Sequence, residues 1–268
     1  MTTPPRLYKY EAITTQSLLN LKKQIIYFGS PLKFNDPYDC AITPNIEIPS
    51  EADLETIRKK YLDDKSLPTL AKQQFETFTV TQLRERFVKA AKEAMETAIR
   101  EFLKTKGVAC FSEKNNDLLM WSHYGGHYKG FCLEFATDSE PFSKINKVHY
   151  RSAPPSLQVK SILFDDDFHI VQELFCTKSE AWKYEAEWRA IHHQAGTQFC
   201  YPATALTGIY FGPDIDRQSM EIICLILAGQ NESVKFWRGS RSSTEFSVLF
   251  DEFSYVPHLQ AKKQGLVP

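Results

Sequence analysis

Between Trp182 and His192 the chain alternates without a break: Tyr184, Ala186 and Trp188 fall on one side of an extended backbone, and Glu185, Glu187 and Arg189 on the other. A period of two commits the segment to a strand with one apolar face, and the chain to a sheet with something packed on that face. The three charges opposite must be solvated, paired or functional. Two carboxylates two residues apart repel, and a nearby cation such as Arg189, a bound metal or a substrate with developing positive charge lowers that cost. The simplest version is an exposed strand carrying a surface salt bridge.

The rest of the chain supplies the sheet and its cover. Leu7–Tyr10, Gln24–Gly29, Val108–Ser112, Lys129–Phe135, Lys147–Arg151, Ile209–Phe211 and Ser233–Trp237 read as short strands. Leu18, Leu19 and Leu21 behind the capping hydroxyls of Thr14-Thr15-Gln16-Ser17 suit a short helix, and Asp216 can cap another from Arg217 to about Leu227. From about Thr81 to Lys104, Leu83, Phe87, Ala91, Ala94, Ala98 and Phe102 recur at helical spacing. After Pro154-Pro155 a second helical stretch runs to about Cys176, with its centre around Phe168 to Phe175. With no repeat and no long linker, the order of elements predicts one α+β domain over residues 1–268, with a helical insertion at about 51–104.

Charge and cysteine usage narrow the function classes. Thirty-two Lys and Arg against 33 Asp and Glu leave a formal net charge of −1, which argues against holding a long duplex by charge alone. The six cysteines stand singly, mostly in apolar surroundings, as reduced thiols do. Neither a signal peptide nor a membrane span is legible, so the expectation is a cytoplasmic chain with no membrane partner. Nineteen Phe, 12 Tyr and 4 Trp accompany only 11 Gly. Most of that aromatic load belongs in a core, while Tyr and Trp beside polar residues suit planar ligands.

Phosphate-binding glycine loops, a nucleophile elbow and zinc spacings are all missing. His123 and His127 would share a helix face, but Gly125 and Gly126 interrupt it, so no metal is expected there. Three clusters remain. Phe34-Asn35-Asp36-Pro37 is a rigid turn, structural or ligand-holding. Cys110-Phe111-Ser112-Glu113 with Trp121-Ser122-His123-Tyr124 joins a strand end to polar-tipped aromatics, either packing or a ligand wall. Glu185-x-Glu187-x-Arg189 is the third.

These blocks, with Leu7-Tyr8-Lys9-Tyr10, Tyr27-Phe28-Gly29-Ser30-Pro31, Gly130-Phe131-Cys132 and Trp182-Lys183-Tyr184, resemble the signature blocks of the bacterial domain of unknown function 2971 family, in order from position 7 to 189. More distantly, the order of elements is similar to that of ADP-ribosyltransferases. That resemblance implies small split antiparallel sheets around a cleft that takes NAD as substrate. It implies Glu187 as catalytic carboxylate, Glu185 as the residue that helps activate the acceptor, and Arg189 holding the pair. Ser112 or Tyr124 takes the middle position, and Lys9 stands where an Arg or His is usual. Tyr10 and Trp121 would stack a planar ring, and Ser30, Asn35 and Asp36 would contact the ligand, the fixed Asn-Asp turn through a ribose hydroxyl. The implied partners are NAD or another nucleotide and a macromolecular acceptor. By analogy with bacterial enzymes of this kind, a toxin or anti-phage role follows. Two alternatives stay open: a non-catalytic ligand-binding or sensor domain, and a nucleic-acid-processing enzyme using Asp36, Glu185 and Glu187 around a divalent metal.

Overall fold

Strands form where the apolar and aromatic runs fall, and in chain order they are β1 (Arg6–Glu11), β2 (Ile25–Tyr27), β3 (Asn45–Glu47), β4 (Gly107–Ser112), β5 (Phe131–Ala136), β6 (Asn146–Lys147), β7 (His149–Arg151), β8 (Ser156–Gln158), β9 (Thr177–Ser179), β10 (Glu187–His192), β11 (Gln198–Cys200), β12 (Leu206–Phe211), β13 (Lys235–Arg241) and β14 (Val248–Phe253). The structure is a computed structural model and describes residues 2–164, 173–231 and 233–265. Of the helical stretch expected after Pro155, residues 165–172 lie outside the described residues; Val159–Phe164 is helical, whereas Ser156–Gln158 is the strand β8. By its internal contacts the chain divides into two compact units, Met1–Ser30 with Lys106–Val148 and Ala181–Pro268, and Pro31–Thr105 with His149–Glu180.

The first unit is built on an eight-stranded sheet of order β14-β13-β12-β5-β1-β4-β10-β6. Neighbours are antiparallel except β12 and β13, which run parallel. The helix Arg217–Ala228 lies between those two strands in sequence, capped as expected by Asp216, whose carboxylate accepts from the Ser219 amide at 2.8 Å. One sheet face is the main core: Leu7, Phe111, Leu133, Phe135, Trp188 and Ile209 are buried there. Leu21 from the helix Thr15–Lys23 and Ile223, Cys224 and Leu227 from Arg217–Ala228 complete it. Fully burying each such Phe or Leu contributes about 1.5–3 kcal/mol. The other face carries a smaller cluster around Tyr10, Trp121, Cys132 and Tyr210, and the helix Leu118–His123 contributes its Met120 and Trp121.

The mixed α+β class holds. Where small antiparallel sheets were expected, the main sheet is one mixed eight-stranded sheet, accompanied by two-stranded sheets β2–β11, β3–β8 and β7–β9. The strand predicted from Trp182 starts only at Glu187. Residues Glu180–Glu185 form a 3-10 helix, and Ala186 between them takes a left-handed φ of 44°. The partner strand explains this. β4 ends at Ser112, directly opposite Glu187, so residues before Glu187 have no ladder to join. Their backbone is satisfied otherwise: the Ser112 hydroxyl donates to the Glu185 carbonyl at 2.6 Å and the Glu113 amide to the Ala186 carbonyl at 3.1 Å.

The second unit holds the helices Glu51–Asp63, Thr69–Thr77 and Val80–Thr105, which account for the helical segment read over about 51–104. The long helix buries Leu83, Phe87, Ala91 and Phe102 as the spacing predicts, but Met95 in place of Ala94, which is exposed. Leu54 and Ile57 pack with Leu83, Phe87 and Ala91, and the Phe102 and Phe175 rings stack at 3.5 Å.

Candidate functional site

The charges of the alternating strand are not on the surface. Glu187 is 4% exposed and Arg189 fully buried, and the guanidinium grips the carboxylate through two bonds, Nε to Oε1 at 2.8 Å and Nη2 to Oε2 at 2.9 Å. A buried pair in this two-bond geometry offsets much of the several-kcal/mol desolvation of each ion, which an exposed strand pair never incurs. The expected surface salt bridge is therefore an interior one. Glu185, 3% exposed, sits at the end of the 3-10 helix and accepts from the Tyr124 hydroxyl at 2.6 Å.

Register brings the rest of the row together. Directly opposite residues in neighbouring strands share a face, and Glu134, Tyr8, Ser112 and Glu187 are successive partners across β5, β1, β4 and β10. At about 4.8 Å per strand the two glutamates at its ends are roughly 14 Å apart along the row. Lys9 projects to the opposite face: it pairs with Leu133 in the ladder, contacts Glu11 at 3.5 Å and lies 5.9 Å from the Phe111 ring centroid. It does not join Ser112 and Glu187. Ser30 follows the bridge between Gly29 and Val108, and Val108 lies four residues along β4 from Ser112.

Trp121 and Tyr10 are packed, with their polar tips taken. The indole donates to the Asn115 carbonyl at 2.7 Å, the Tyr10 hydroxyl to the Lys114 carbonyl at 2.9 Å, and the rings meet edge to face at 5.1 Å. Gly125 maintains this packing, because a Cβ there would lie 2.5 Å from Trp121 Cε3. More open rings stand nearby instead, His123 exposed and Trp182, Tyr184 and Tyr124 half-buried: the centroids of His123, Trp182 and Tyr184 are 6.1–6.4 Å apart, and the Tyr124 ring is 6.2 Å from His123. Asn35 and Asp36 belong to the second unit. Asn35 is exposed, and Asp36 is buried in a turn whose Oδ1 accepts from the Tyr38 amide at 2.9 Å. In that unit Lys178 and Asp39, each 3% exposed, pair at 3.1 Å.

Residues 120–190 match the family described as protein of unknown function DUF2971. The resemblance is thus shown over Met120–Tyr124, β5, and the segment from Trp182 to Ala190. The blocks at 7–10, 27–39 and 110–113 lie outside the matched span. No curated protein and no solved structure matches the chain.

Sequence reasoning missed the other end of the row. Glu134, 3% exposed, accepts from Tyr210 at 2.8 Å, Tyr8 at 3.2 Å and Thr207 at 2.7 Å, with the Arg6 guanidinium at 3.3 Å. A lone Glu inside the apolar run Phe131-Cys132-Leu133-Glu134-Phe135 was the available signal. Burial, reinforced by the Glu134 charge, pushes the Tyr8 phenol up to about 12, and burial with the Glu134 hydrogen bond raises Tyr210 as well. Next to Glu187, Glu113 accepts from Lys147 at 2.8 Å and from the Trp188 indole at 2.7 Å. Partial burial works to raise its carboxyl, but these two bonds outweigh it and hold the group below its usual range. Among the described residues no helix is long and apolar enough to cross a membrane.

Proposed function

We propose that this chain uses NAD, cleaving the bond between nicotinamide and ribose and passing ADP-ribose to a macromolecular acceptor or to water. The supporting observation is the in-register row that sets Tyr8 of the first strand, Ser112 at a strand end and Glu187 of a late strand side by side on one sheet face. The finer, ADP-ribosyltransferase-like reading of the fold is part of this proposal. Glu187 stabilises the oxocarbenium-like ribose carbon as the C1′–N bond breaks and nicotinamide leaves with the electron pair. Arg189 fixes the direction of that carboxylate. Glu185, aimed by Tyr124, takes the proton that the acceptor loses as its bond to C1′ forms. Lys9 and the packed Trp121 have no part in this version.

One observation favours a second reading, ligand binding without turnover: both Glu187 oxygens are already engaged by Arg189. Incubating the protein with NAD labelled in the nicotinamide and, in parallel, with NAD labelled in the adenosine, with and without cell extract, separates the two. Turnover predicts released nicotinamide or a modified macromolecule. Binding alone predicts retained, intact NAD. A protein that neither binds nor consumes NAD in extract overturns the enzymatic reading.

A further inference from the structure

The His123, Trp182 and Tyr184 rings form a near-equilateral triangle with sides of 6.1–6.4 Å, and their planes are inclined by 32–60° to one another, so none stacks flat on another. His123 is exposed and the other two are half-buried. A cation resting on such a triangle lies about 5–6 Å from every centroid, within the range in which ring quadrupoles attract it. Tyr184 is followed directly by the buried Glu185, which the Tyr124 hydroxyl holds at 2.6 Å, and the Tyr124 ring in turn neighbours His123. A group of aromatic rings with a buried carboxylate beside it suits a large, weakly hydrated cation better than a compact ammonium, whose hydration shell is costly to strip.

We infer that His123, Trp182 and Tyr184, with the neighbouring Glu185, form a binding site for a quaternary nitrogen cation, aliphatic or pyridinium. The inference concerns binding and holds or fails separately from the bond cleavage proposed above. Proton NMR titration of the full chain with choline and with the pyridinium cation 1-methylnicotinamide tests it, each against its neutral counterpart, 3,3-dimethylbutan-1-ol and nicotinamide. At least one cation should bind, and its neutral counterpart should bind on the order of tenfold more weakly. Trp182→Ala and Tyr184→Leu, both at partly exposed positions, should each weaken cation binding by roughly 3- to 30-fold with an unchanged circular dichroism spectrum. Equal binding of cation and counterpart, or no binding of either cation at about 10 mM, would overturn it. NAD consumption without cation selectivity leaves the cleavage reading and removes this one. Cation selectivity without NAD consumption does the reverse.

Discussion

Ala186 concentrates the tension between sequence and site. A non-glycine residue at φ 44° is strained, and here it lies between two buried carboxylates, where it turns Glu185 off the strand that Glu187 begins. Ala186→Gly should therefore keep or raise stability, by up to about 1 kcal/mol, whereas Ala186→Val should lower it by about 1–3 kcal/mol, both read as shifts in urea midpoint. The Glu187–Arg189 pair makes a sharper prediction. Removing one partner alone, as in Arg189→Met, leaves a buried carboxylate without its two-bond partner and should cost about 3–5 kcal/mol. The double variant Glu187→Gln with Arg189→Met should lose less than Arg189→Met does. If the losses simply add, the pair is not coupled as the distances imply.

At the scale of elements, the row across β5, β1, β4 and β10 has a titration signature. A phenol raised to about 12 in the fold holds its proton while its unfolded counterpart, near 10, loses it. Tyr8 thus contributes stability that is fully present below about pH 10 and is lost as pH rises through about 12. Thermal midpoints measured from pH 8 to 12 should be flat and then fall, and Tyr8→Phe should soften the fall. Most elements were legible because they follow one periodicity or one cap: the helix Val80–Thr105 from its apolar stripe, and the helix Arg217–Ala228 from Asp216. The 3-10 segment before Glu187 was not, because period two holds over residues 182–186 whether or not a partner strand is there. What decides is where β4 ends, and that is information about another part of the chain. β14 was missed for another reason: the exposed residue between inward Val248 and Phe250 is the apolar Leu249, so the alternation in burial has no counterpart in hydropathy.

At the scale of the molecule, the opening charge pattern acquires a different meaning. Of the outcomes open to these three charges, the structure gives Glu187 and Arg189 pairing, in the interior of the unit. The partners of Glu185 and Glu134 come from residues 61 and 126 positions away, Tyr124 and Tyr8, and such pairings follow from register, which no local pattern encodes. Aromatic residues divide the same way: Trp121 and Tyr10 went to packing, and Trp182 and Tyr184 stayed partly open. On the function proposed above, the Glu187 face cleaves NAD. An NMR time course of NAD with the wild-type chain, Glu187→Gln and Tyr124→Phe tests it most directly, with folding checked by circular dichroism. Free nicotinamide should accumulate with the wild type, about 100- to 1,000-fold more slowly with Glu187→Gln, and at an intermediate rate with Tyr124→Phe. Equal rates for all three folded proteins, or no nicotinamide from the wild type with acceptor-containing extract, would contradict the claim.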